Sequence, residues 1–167
     1  MADYAIRLAE PGEYPAVGEL TRDVYVGDGL EAEDSPYNAR LFDAAGRAHD
    51  AALLVAVGAE GELLGTVTYC VHGSPCAQRA EPGEAEFRML AVEPGARGRG
   101  VGEALVRAVL DRAARDRATA VVLSTAEEMA AAHRIYERLG FLRTPERDWC
   151  PVPSVRLRTY RREFPVG

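Results

Sequence analysis

Apolar and polar positions alternate over residues 4–9, Tyr-Ala-Ile-Arg-Leu-Ala, which predicts a first strand. Glu10-Pro11-Gly12-Glu13 then turns the chain into a helix over about 13–26, with Val17, Leu20, Val24 and Tyr25 near one face. Gly27 and Gly29 interrupt it, and Ser35 as N-cap with Pro36 at the first position predicts a second short helix over about 36–47. The apolar run Ala51 to Val57 reads as a central strand, Ala59-Glu60-Gly61-Glu62 as a hairpin turn, and Leu63 to Val71 as the return strand. Residues 73–84 are rich in Gly, Pro, Ser and Cys and read as a loop before a strand at about 85–92.

The clearest helix runs from Val101 to about Arg117. Leu105, Val109 and Ala113, with Val106 and Leu110, form its apolar stripe, and Glu103–Arg107 and Asp111–Arg115 make i,i+4 pairs on the other side. Ala120 to Leu123 is a short buried strand. A further helix over 127–139 keeps Ala131, Ile135 and Leu139 in register and ends at Gly140, the expected C′ residue, with Phe141 as the hydrophobic contact after it. Asp148 to Pro153 reads as a Pro-punctuated loop, and Val155 to Arg161 as a final strand. The order β-α-α-β-β-β-α-β-α-β-β predicts an α/β (α+β) fold in one domain over 1–167. It has a mixed, mostly antiparallel sheet of about seven strands and about four helices.

Composition narrows the function classes. The 167 residues carry 20 basic and 26 acidic side chains, a net charge of −6, which argues against a dedicated nucleic-acid partner. No apolar run approaches the ~20 residues of a membrane span, so no membrane association is expected. The N-terminus lacks signal-peptide features, and three widely spaced cysteines make no disulfide framework, so the cytoplasm is the expected compartment. His49, His72 and His133 share no ligand spacing with a cysteine, so no metal is expected. His133 is expected at the surface, Cys70 in the core, and Cys76 and Cys150 in loops.

The candidate chemistry lies between Glu86 and Gly102: a strand, a tight turn Glu93-Pro94-Gly95-Ala96-Arg97-Gly98-Arg99-Gly100, and a helix start. Helix starts expose unpaired N–H groups and the positive end of the dipole, which suits phosphate. A nucleotide P-loop would need Lys followed by Ser or Thr where Val101 and Gly102 stand, and Gly98-Arg99-Gly100-Val101-Gly102 lacks the spacing of a dinucleotide loop. Further on, Ala131-Ala132-His133-Arg134-Ile135-Tyr136-Glu137-Arg138-Leu139-Gly140-Phe141 forms a second motif.

The two motifs, in this order and separation, resemble the GNAT (GCN5-related) N-acetyltransferases, over about residues 50–145. The resemblance implies an N-acetyltransferase that moves an acetyl group from acetyl-CoA to a primary amine of a small molecule or peptide, in a ternary complex and without metal. The alternative is a coenzyme A-binding sensor or interaction module that has lost catalysis. Leu90, Val92, Arg97, Gly98, Arg99, Gly100, Val101 and Gly102 would then hold the cofactor, Tyr136 would act as general acid and Glu86 as base, with Glu84 as a rival. Met129 stands where the family often has Asn, so that contact is lost or replaced. Simple alternation places Glu86, Arg88, Leu90 and Val92 on one face of their strand unless a bulge intervenes. The family also implies a bulge or splay here, acceptor walls from the first two helices and the 73–84 loop, and frequent homodimers. Asp23, Asp28, Glu31, Glu33, Asp34, Glu81 and Glu84 in those walls would favour a cationic amine, and Trp149 and Tyr160 border the pocket with core packing as their main duty.

Overall fold

Eight strands form one sheet in the order β1-β2-β3-β4-β5-β8-β6, with β7 paired to β8 outside that path. The computed structural model describes residues 3–165. The strands are β1 (Tyr4–Leu8), β2 (Ala52–Gly58), β3 (Leu63–Val71), β4 (Glu84–Val92), β5 (Ala120–Ala126), β6 (Leu142–Arg143), β7 (Trp149–Val152) and β8 (Val155–Glu163). The helices are α1 (Tyr14–Gly27), α2 (Asn38–Phe42), α3 (Ala44–Asp50), α4 (Val101–Arg115) and α5 (Ala130–Arg138). Among the described residues only β4 and β5 run parallel, joined through α4. None of the helices among the described residues is long and apolar enough to cross a membrane.

Three expectations change. The helix over 36–47 is two helices, because Asp43 leaves helical geometry (φ −80°, ψ 69°) and its carboxylate accepts the Gly46 N–H at 3.0 Å, capping α3. Ser35 closes a turn on the Tyr37 N–H instead of capping a helix. The segment 148–153 is not a loop: β7 pairs with β8, its register broken between Trp149 and Val152 around Pro151, as suits an outer strand.

Strand β2 is apolar throughout because both faces are covered. Leu53, Val55 and Val57 pack on Val17 of α1 and Ala44 of α3, while Leu54 and Ala56 join the larger core under α4, with Leu105, Val106 and Val109. On the first face, a Cβ at Gly18 would overlap the Phe42 carbonyl, so only glycine lets α1 and α2 approach this closely.

In β4 the alternation reverses. Ala85 and Phe87 belong to the α4 core, yet Leu90 and Val92 also pack against it. Thr66 of β3 pairs with Ala91 and Thr68 with Arg88, so β4 carries one extra residue, and Met89 sits there with φ 56°. This is a β-bulge, and it moves the even-numbered residues from one face to the other. Glu86 and Arg88 therefore do not share a face with Leu90 and Val92, which corrects the simple alternation.

The C-terminal strands are tied by buried charge. Asp148, with 5% of its side chain exposed, accepts from Arg143 at 2.8 Å and from the Thr159 N–H at 2.8 Å. The Arg143 hydrogen bond, opposed by burial and aided by Thr159, lowers its carboxyl to about 2. An unfolded aspartate titrates near ~3.9, so this stabilisation is complete above that value and disappears as pH falls through the folded one. Asp148→Asn should be about 1–3 kcal/mol less stable than the wild type at pH 7 in urea unfolding, and the gap should close between about pH 4 and pH 2. A gap that stays constant over that range would contradict this role.

Candidate active site

Strands β4 and β5 pair only from Glu84–Ala120 to Glu86–Val122 and then part. The gap is a cleft of about 810 Å³, walled by Leu90 and Val92 of β4, Met129 and Ile135 around α5, Tyr25 of α1, and the Gly-rich turn at its outer end. Glu93 donates its N–H back to Leu64 of β3 at 2.9 Å. Strand alternation then turns the N–H groups of Val92 and Leu90 outward, into the cleft. An amide-bearing chain can pair there as an extra strand.

At the outer end, Gly98 and Gly100 adopt φ 86° and 77°, which side-chain-bearing residues avoid. The N–H groups from Gly98 to Glu103 find no acceptor among the described residues, and Gly100 caps α4 with no side chain. A Cβ at Gly102 would lie 3.6 Å from Ile135 Cδ1 and Val92 Cγ2, so a larger side chain would grow into the cleft. Arg97 pairs with Asp28 at 2.9 Å and Arg99 with Asp3 at 2.6 Å, both at the surface. Exposed pairs of this kind are worth about 1 kcal/mol or less, so a phosphate can replace the carboxylates. Free donors, bare glycine backbone and two exchangeable arginines fit a pyrophosphate.

Helix α5 ends in a full Schellman motif. Phe141 N–H bonds to Tyr136 O at 2.9 Å, Gly140 N–H to Glu137 O at 3.1 Å, and Gly140 has φ 91°. The cap places Phe141 edge-on to Tyr136 (ring centres 6.0 Å apart), with Phe87 at 5.8 Å and Tyr160 at 5.9 Å. Tyr136 is 3% exposed, and its hydroxyl makes no hydrogen bond among the described residues. Burial pushes that hydroxyl well above the usual tyrosine range, the hydroxyls of Tyr25 and Tyr160 adding to it, so it keeps its proton at neutral pH. Met129 faces the cleft as an apolar residue and accepts a weak hydrogen bond from Thr125 through Sδ at 3.7 Å.

Glu86 is completely buried at the fork of the two strands. Its Oε1 accepts the N–H groups of Gln78, Arg79 and Ala80 at 2.9, 2.9 and 3.0 Å, while Oε2 has no partner among the described residues. Neither Glu86 nor Tyr136 is among the residues that line the cleft, although Ile135, next to Tyr136, is. Glu84 is no rival. Burial would raise its carboxyl, but Arg147, the Glu81 N–H and Arg161 outweigh that and hold it below the usual range.

The acidic field is offset in part: Asp23 pairs with Arg22, Asp28 with Arg97, and Glu84 with Arg147 and Arg161, while Glu31, Glu33 and Asp34 form no ion pair among the described residues. His133 is 8% exposed rather than at the surface, its Nε2 3.0 Å from the Ala126 carbonyl. Tyr160 is buried in the core and Trp149 donates to Ser124 Oγ at 2.9 Å, while Cys70 is buried beside β4. Sequence reasoning passed over Tyr25, Tyr37, Arg47 and Arg88. The signal for Arg88 was present: it is the single charged residue between Phe87 and Val92.

Comparison with known proteins gives this geometry a context. The family model described as Acetyltransferase (GNAT) family matches residues 15–141. A mycothiol acetyltransferase from Salinispora tropica is 36% identical over 135 residues, 78% of this chain and 37% of that protein. The chain spans about a third of the length of the curated relatives it matches. A GCN5-related N-acetyltransferase from Kribbella flavida superposes with a TM-score of 0.72 at 25% identity, covering 97% of this chain and 98% of that one. The PaiA N-acetyltransferase of Thermoplasma acidophilum, solved with coenzyme A, superposes with a TM-score of 0.74 at 13% identity, covering 96% and 99%. With more than half of its length inside the family model and its sheet split where a cofactor can enter, the chain belongs to the GNAT acetyltransferase family.

Proposed function

We propose that this protein, as one domain over residues 1–167, transfers an acetyl group from acetyl-CoA to a primary amine. The observation that carries the proposal is the unpaired edge of β4, which leads from Glu86 at the fork to the free N–H groups of Gly98–Glu103. Acetyl-CoA supplies the acetyl group as a thioester. Leu90 and Val92 hold the amide-bearing arm along the edge. Arg97, Gly98, Arg99, Gly100, Val101 and Gly102 hold the pyrophosphate. The cytoplasmic setting expected from the sequence belongs to the same proposal, as does the homodimer that the family resemblance implies.

The chain supplies the two proton sites that amide formation needs. A free amine is protonated at neutral pH, with a pKa of ~10, and must lose a proton before its nitrogen can bond to the carbonyl carbon. Glu86 Oε2 takes that proton through a water, while Oε1 keeps the 78–80 loop in place. As the carbon–sulfur bond breaks, the Tyr136 hydroxyl delivers its proton to the departing sulfur, and the second proton that the nitrogen sheds as the amide forms restores the Tyr136 hydroxyl.

Tyr136→Phe keeps the ring packing and removes the proton. It should lower kcat by about 10²-fold or more in a thiol-release assay with acetyl-CoA, with acetyl-CoA affinity unchanged. Unchanged turnover would remove Tyr136 as the acid. Glu86→Gln keeps an oxygen for the three loop N–H groups and removes the charge. We expect about 10²-fold slower turnover and a rate profile displaced to higher pH. A profile left in place would reduce Glu86 to an anchor for the loop.

A further inference from the structure

We infer that the acceptor amine carries a carboxylate, as an amino acid does, and that Arg88 is the residue that binds it. This rests on the acetyl-transfer reading and names its substrate class.

Arg88 is half-buried on β4, two residues past Glu86 on the same face and before the bulge. Its Nη1 donates to the Cys76 carbonyl at 3.0 Å and its Nη2 to the Tyr37 hydroxyl at 2.7 Å. Neither partner is charged, and Arg88 forms no ion pair among the described residues. A guanidinium has five N–H donors, so three remain to be used. Among the other half-buried arginines, Arg143 and Arg161 of the sheet and Arg147 beside it rest on carboxylates, while Arg162 of β8 donates to the Leu139 carbonyl and lies over the Phe164 ring.

A second cation stands nearby without a counter-ion. Arg47 is 6% exposed and donates only to the carbonyls of Arg40 and Leu41 and to the Thr21 hydroxyl, and its buried Nε has no partner. Arg88 donates to Tyr37 at the start of α2 and Arg47 to Thr21 of α1, and Tyr25, one turn beyond Thr21 on α1, lines the cofactor cleft, its hydroxyl in the field of Tyr37, Arg88, Arg47 and Glu31. The cations therefore sit beside the inner cleft, on the α1–α2 side. Sequestering a guanidinium among neutral groups is costly, and a planar carboxylate matches its remaining donors. The same face of β4 thus offers an unpartnered carboxylate oxygen at Glu86 and an uncompensated guanidinium at Arg88. A molecule bearing both an amine and a carboxylate complements that pair. Of the acidic side chains in the surrounding segments, Asp23, Asp28 and Glu84 rest on arginines, which offsets part of the negative charge there.

The test is a thiol-release panel with acetyl-CoA and three sets of acceptors: L-methionine, L-glutamate and L-phenylalanine, each beside its α-carboxamide and its decarboxylated amine. At least one acid should exceed its amide and amine by about 30-fold or more in kcat/KM, mostly through KM. Arg88→Gln, with folding checked by its melting temperature, should bring that acid-to-amide ratio close to one, and Arg88→Lys should restore part of it. If amides serve as well as acids, or if Arg88→Gln slows both alike, Arg88 only braces Tyr37 and the 76–80 loop and the inference is wrong. If no member of the panel releases thiol, the acetyl-transfer reading itself fails for these amines, and the assignment of an amino-acid acceptor is overturned with it.

Discussion

The site depends on one constraint: β4 has a partner along only part of one edge. From Glu84 to Glu86 it pairs with β5, and beyond that the two strands separate. A strand with one unpaired edge exposes N–H and C=O groups that another chain can take up, a hazard in most sheets and a binding device here. The parallel crossover makes the gap possible. Helix α4 carries the chain from the end of β4 to the start of β5, and its free N-terminus lies at the mouth of the opening.

The bulge at Met89 makes β4 serve both sides of the sheet. Before it, Glu86 and Arg88 face the α1–α2 side; after it, Leu90 and Val92 face α4 and the cleft. A regular strand would have placed all four together. Proton acceptance and acceptor recognition can thus be assigned to one side of the strand and cofactor binding to the other. The strain of a non-glycine residue at positive φ is a modest cost, of order 1–3 kcal/mol.

Much of this was legible in the chain. The Gly-rich turn and the Leu139-Gly140-Phe141 helix end announce themselves because glycine is required where φ is positive, and both positions are occupied as the spacing predicted. The apolar runs gave β2, β3 and α4 within a residue or two. The split of the 36–47 helix and the strand at 149–152 were not legible, since both depend on partners distant in sequence: Asp43 capping Gly46 where the chain turns, and β8 offering an edge to β7. The acidic segments suggested a cationic acceptor; in the fold, arginines from the Gly-rich turn, from the 145–147 turn and from β8 take up Asp28 and Glu84, while Glu31, Glu33 and Asp34 form no ion pair among the described residues. Arg88 stood out in the sequence as a lone charge between Phe87 and Val92, but that it donates only to the Cys76 carbonyl and the Tyr37 hydroxyl is visible only in the packing.

The central claim is that the open β4 edge and the turn from Arg97 to Gly102 hold acetyl-CoA. Calorimetric titration of the wild type and of Gly102→Val, two proteins of matched melting temperature, tests it most directly. The account predicts saturable binding of acetyl-CoA to the wild type and a loss of about tenfold or more in the variant, equal to about 1.4 kcal/mol. Equal affinity in the two proteins, or no binding to the wild type, would contradict it.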